Sequence, residues 1–156
     1  MMPSAVSPPR DGPEPPLLVG REREQRLLRG HLAGSSAGRG RLVLVGGSAG
    51  IGKTTLISAM AREAEAQGFL VLGGACYDLT ATPPYGPWRD LAAGYRPAAG
   101  FPPLPAVLTD DEPVAAGGPG TLFAQVREFL IALAAVRPVL VVLEWTDVKS
   151  AVTTRQ

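Results

Sequence analysis

The stretch "GSAGIGKT", residues 47–54, constrains this chain more than any other. Gly47 and Gly52 frame the spacing G-x-x-x-x-G-K-[ST], with Gly50 between them, and Lys53 and Thr54 close it. Upstream, "RLVLVG" (41–46) is a short apolar run that reads as a buried strand. Downstream, "KTTLISAMAREAEAQG" (53–68) lines Leu56, Ile57, Met60, Ala61 and Ala64 along one helical face, with Gly68 to close it. Glycines open backbone conformations closed to other residues. Successive N–H groups can then converge on an anion at the positive end of the helix that follows. The candidate set is Gly47, Ser48, Ala49, Gly50, Ile51, Gly52, Lys53, Thr54 and Thr55. Lys53 offers a mobile charge to terminal phosphates, and the Thr54 hydroxyl is a Mg²⁺ ligand. A glycine-rich loop that only caps a helix is the competing reading, weakened here because strand, loop and helix fall in order.

Elsewhere the chain alternates. "REREQRLLRGHLAG" (21–34) places Leu27, Leu28 and Leu32 at helical spacing, with Gly34 to end the helix. "FLVLGGACY" (69–77) reads as a second strand and "WRDLAAGY" (88–95) as a short helix. "TLFAQVREFLIALAAV" (121–136) reads as a further helix, with Leu122, Val126, Phe129, Leu130 and Leu133 buried. It leads into the apolar run at 139–143. This order predicts an α/β fold with a parallel sheet and flanking helices. Residues 1–16 are proline-rich and expected to be a disordered tail, 17–147 the domain, and 148–156 a C-terminal tail. The Pro-, Gly- and Ala-rich stretch 96–120 reads as a long insertion or mobile loop.

Fifteen basic against fourteen acidic side chains leave a net charge of +1. That balance is no electrostatic footprint for nucleic acid or an anionic membrane, and neither partner is expected. Arg21, Arg23, Arg26 and Arg29 interleave with Glu22 and Glu24, the pattern of a solvated helix face. Cys76 is the only cysteine and His31 the only histidine. A disulfide framework, a thiolate metal cluster and a Ser-His-Asp triad therefore lack support, and Cys76 reads as a small buried residue. No run approaches the roughly 18 apolar residues of a membrane span, and no secretory leader pattern opens the chain. A cytoplasmic setting is expected.

The strand-like run "VLVVLEW" (139–145) carries Glu144 near its end. A carboxylate there needs a counter-charge, a metal or water. Beside a phosphate loop it reads as the acid that takes a water of the Mg²⁺ shell. Glu144 is thus the catalytic candidate, and Thr54 and Glu144 the metal candidates. An ordinary exposed acid at a strand end is the other reading.

"LVGREREQRLL" followed by "VLVGGSAGIGKTTL" resembles the ATPase module of the STAND branch of AAA-related P-loop proteins. It is similar to the module in large LuxR-type (MalT-like) transcriptional regulators and in some nucleotide cyclases. The resemblance covers about residues 17–147 and includes "PYGPW" (84–88). It implies ATP and Mg²⁺ as cofactors, with Val19, Gly20, Arg21 and Glu22 beside the adenine. The family's Walker B strand usually ends in two adjacent acids, the second activating water. Here Glu144 runs directly into Trp145, Thr146 and Asp147, so the second acid is deleted or replaced by Trp145, or Asp147 takes its place. In the family's sheet order the strand after Walker B lies between the Walker A and Walker B strands, and this chain stops at Gln156. The resemblance therefore implies an incomplete sheet of three strands, 41–46, 69–73 and 139–143. Either the Walker B strand shifts against the Walker A strand, or the chain is marginally stable and self-associates through exposed edges. The expected function is ATP–Mg²⁺ binding with impaired hydrolysis. An active ATPase using Asp147 or an outside residue, and a non-enzymatic truncated remnant, are the alternatives.

Overall fold

The computed structural model describes residues 20–76, 85–109 and 118–145. Among the described residues two apolar runs become strands, β1 (Leu70–Cys76) and β2 (Val139–Trp145). They lie side by side in parallel, Leu70 opposite Val139 through to Cys76 opposite Trp145. Around them pack helices α1 (Glu22–Ser36), α2 (Lys53–Ala66), α3 (Gly86–Gly94), α4 (Ala106–Thr109) and α5 (Gly118–Val136).

Cover on both faces explains why neither strand alternates polar with apolar. On one face Leu70, Leu72, Val139 and Val141 meet Leu91 of α3, Tyr95 just beyond it, and Phe129 and Leu133 of α5. The Tyr95 and Phe129 rings meet edge to face, centroids 5.2 Å apart. Burial pushes the Tyr95 phenol above its ordinary pKa, and its hydroxyl donates to the Pro102 carbonyl at 2.7 Å. On the other face Val71 and Leu140 meet Leu32 of α1 and Met60 and Ala64 of α2. A third cluster, Ala92, Leu108, Leu122 and Val126, joins α3, α4 and α5. Among the described residues no helix is long and apolar enough to cross a membrane.

Helix α3 sits so close to β1 that a Cβ on Gly74 would lie 2.2 Å from the Pro87 carbonyl oxygen. Only glycine fits there, because the obstacle is backbone. Gly74→Ala is expected to push α3 off the sheet and cost about 1–3 kcal/mol, the usual penalty for overpacking. Urea denaturation measures it, and a change under about 0.5 kcal/mol, the range of neutral surface substitutions, would mean α3 is not held this tightly.

Three expectations need correction. The run 41–46 forms no strand; among the described residues the sheet has two strands, not three. The shift of 139–143 against 41–46 does not occur either, since β2 pairs with β1. The reason lies in the edges. The Leu70 N–H donates to the Pro138 carbonyl at 2.8 Å, so by alternation the N–H groups of Val71, Gly73 and Ala75 point away from β2. That outer edge is partly closed by α3, because Asp90 accepts from the Ala75 N–H at 3.3 Å. Run 41–46 makes no backbone hydrogen bond to either strand, so no ladder holds it as a strand. Leu42 and Leu44 stay 88% and 87% exposed.

Helix α1 also departs from expectation, running through a buried Gly34 to Ser36. The Ser35 and Ser36 hydroxyls donate to the His31 and Leu32 carbonyls, extending the last turn, and Gly38 closes it by donating to Ser35. Of the predicted stripe, Leu32 is buried, Leu28 half-buried and Leu27 exposed. Within 96–120, short α4 and the first turn of α5 are helical.

Candidate functional site

Gly52 brings the chain into α2 with φ +87°, a left-handed conformation that a side chain would strain. The first backbone bond of the helix runs from the Leu56 N–H to the Gly52 carbonyl at 3.0 Å. Ahead of it, the N–H groups of Lys53, Thr54 and Thr55 have no backbone acceptor among the described residues. No side chain caps this end, and no acidic residue occupies the first turn. A helix start usually answers its free N–H groups with Ser, Asp or Glu; this one leaves them open, an arrangement that suits an anion.

Lys53 folds back over the loop. Its ammonium donates to the Gly47 carbonyl at 2.7 Å and the Ser48 carbonyl at 2.9 Å. The loop is otherwise loosely tied within itself: Ile51 N–H reaches the Ser48 carbonyl at 3.4 Å. Gly47, Ser48, Ala49, Gly50 and Thr54 are exposed, while Gly52, Lys53 and Thr55 are half-buried.

Helix α1 runs parallel to α2 and brings its own start to this loop. Half-buried Arg21 donates through Nη2 to the Ile51 carbonyl. Further along, Arg29 grips both Glu63 carboxylate oxygens at 2.8 and 2.9 Å, and that hydrogen bond, with the charge, raises the guanidinium's pKa. Leu32 then packs on Met60 and Ala64. Gly20, at φ +78°, donates its N–H to Glu22 at 3.4 Å. Nothing in the spacing of the sequence announces the Arg21–Ile51 tie. Val19 lies outside the described residues, as does Asp147.

Glu144 is half-buried on β2 opposite Ala75. It shares its face with Leu140, and that is the face α2 covers. Among the described residues it has no hydrogen-bond or ion-pair partner. Trp145 ends the strand on the other face, 65% exposed. Cys76 is half-buried rather than buried, and its thiol is free. No group of three or more His, Cys, Asp or Glu able to hold a metal exists among the described residues. A Mg²⁺ here would rest on one or two protein oxygens, the phosphates and water, and Thr54 and Glu144 suit such sparse ligation by an oxygen-seeking ion.

An apolar groove of about 420 Å³ lies along α5 between Trp88, Phe123, Leu130 and Ile131. It shares no residue with the loop, and α5 covers the opposite sheet face from α2.

No curated protein and no solved structure matches the chain. Residues 17–154, which include both the loop and Glu144, match the family model of the AAA ATPase domain, and the chain belongs to that family.

Proposed function

We propose that the chain binds ATP with Mg²⁺ through residues 47–55, as the nucleotide module of a STAND-type signalling regulator of the LuxR class. The observation that carries the binding is the start of α2: free N–H groups, no capping side chain, and the Lys53 ammonium held over a glycine-rich loop. Membership of a family of ATPase domains supports the same chemistry. The STAND assignment rests on the "VGRE" box, whose Val19, Gly20 and Arg21 are placed near the base by resemblance. In this reading the backbone of Gly47, Ser48, Ala49, Gly50, Ile51 and Gly52 wraps the phosphates. Lys53 contacts their terminal oxygens. The Thr54 hydroxyl and, through water, Glu144 hold Mg²⁺.

Hydrolysis needs a further group to orient the attacking water. Glu144 is committed to the metal, and the Trp145 indole offers only a donor. Turnover by the chain is therefore expected near background even when ATP is bound. Calorimetric titration with ATP, with and without Mg²⁺, tests binding; a flat titration in Mg²⁺ would refute it. Phosphate release tests the second claim. Robust turnover that persisted after Asp147→Asn would contradict the account of this strand end.

A further inference from the structure

We propose that Arg21 is a positioning residue that orients the phosphate loop, rather than a contact for the nucleotide's base. The inference rests on the reading that residues 47–55 bind phosphate. Arg21 donates to the carbonyl of Ile51, a residue inside the loop. A trans peptide is planar, so its carbonyl and the next N–H point in opposite directions. Holding the Ile51 carbonyl outward therefore aims the Gly52 N–H the other way.

That peptide needs an outside hold. It joins Ile51 to Gly52 at φ +87°, with Gly50 at φ +75° just before, a stretch where the backbone has unusual freedom. The Gly52 N–H has no backbone acceptor among the described residues that would fix it from within. Arg21 can supply the hold because its own helix is anchored. The Arg29–Glu63 pair and the Leu32 contact with Met60 and Ala64 set α1 against α2 in one parallel register. The guanidinium thus arrives at the loop from a docked helix, and the loop meets its anion with one donor already oriented. Preorganisation of this kind raises affinity by removing an ordering cost from the binding step.

The test compares ATP–Mg²⁺ with inorganic triphosphate–Mg²⁺, which has neither base nor sugar, on wild type, Arg21→Ala and Arg21→Lys. A positioning role weakens both ligands by the same factor in Arg21→Ala, about tenfold, the scale of one charge-assisted hydrogen bond. Arg21→Lys, which keeps a charged donor on a shorter reach, falls between alanine and wild type for both. In the ligand-free chain Arg21→Ala also shifts and broadens the Gly52 amide resonance, which a contact made only with bound phosphate would leave unmoved. If Arg21→Ala binds triphosphate as well as wild type does, the inference is overturned and phosphate binding by the loop stands. If wild type binds neither ligand, the functional reading fails and this inference fails with it.

Discussion

Lys53→Ala is expected to weaken ATP–Mg²⁺ binding about 10- to 100-fold, since hydrogen bonds to a charged group contribute about 1.5–3 kcal/mol and each 1.4 kcal/mol is a factor of ten. In the ligand-free chain the ammonium already lies across the loop, on the Gly47 and Ser48 carbonyls. Binding exchanges those neutral acceptors for anionic phosphate oxygens, which are stronger partners for a cation. Alanine removes that gain and also releases the loop's first turn from the helix. Folding should be little affected, because the side chain is half-buried and belongs to none of the hydrophobic clusters. Calorimetry with a parallel melting curve separates the two effects. Equal affinity for ATP in wild type and Lys53→Ala would remove the lysine from the site.

Leu133→Ala is expected to cost about 2–5 kcal/mol of stability, the range for truncating a fully buried leucine. Leu133 is 0% exposed and sits where α5 meets Leu70, Leu72 and Phe129. Small domains have about 5–15 kcal/mol in total, so this one change removes a large share. Two strands offer little sheet to absorb the loss, and α5 closes one face together with α3. Val136→Ala on the same helix, 47% exposed, is expected within about 0.5 kcal/mol of wild type. Urea denaturation of both variants measures the contrast. Similar costs at the two positions would mean α5 does not pack in this orientation.

Elements whose burial is local in origin were legible from spacing alone. The 3.6-residue pattern in 121–136 predicts a face on which Leu122, Val126, Phe129 and Leu133 are indeed buried and Leu130 half-buried. The α2 pattern places Leu56, Met60 and Ala64 correctly for the same reason. Run 41–46 failed because an apolar run becomes a strand only when another strand pairs with it, and no periodicity reports on the partner. The strand-like readings of 69–77 and 139–145 contain β1 and β2, whereas the narrower bounds 69–73 and 139–143 stop short, because the ladder between β1 and β2 carries pairing past the apolar stretch. At the site, the glycine spacing and Lys53 were readable, since the loop is one continuous segment. Ties between distant segments were not: Arg21 with Ile51, Arg29 with Glu63 and Asp90 with Ala75 each join residues whose meeting depends on how helices dock.

The central claim is that the loop before α2 cradles the phosphates of a nucleotide. An amide-resolved NMR titration of the full chain with ATP–Mg²⁺ tests it most directly. The account predicts saturable shifts concentrated at Gly47, Ser48, Ala49, Gly50, Ile51, Gly52, Lys53, Thr54 and Thr55, with α5 and its groove unmoved. Saturable shifts centred on Trp88, Phe123 and Ile131, with the loop amides unchanged, would contradict it.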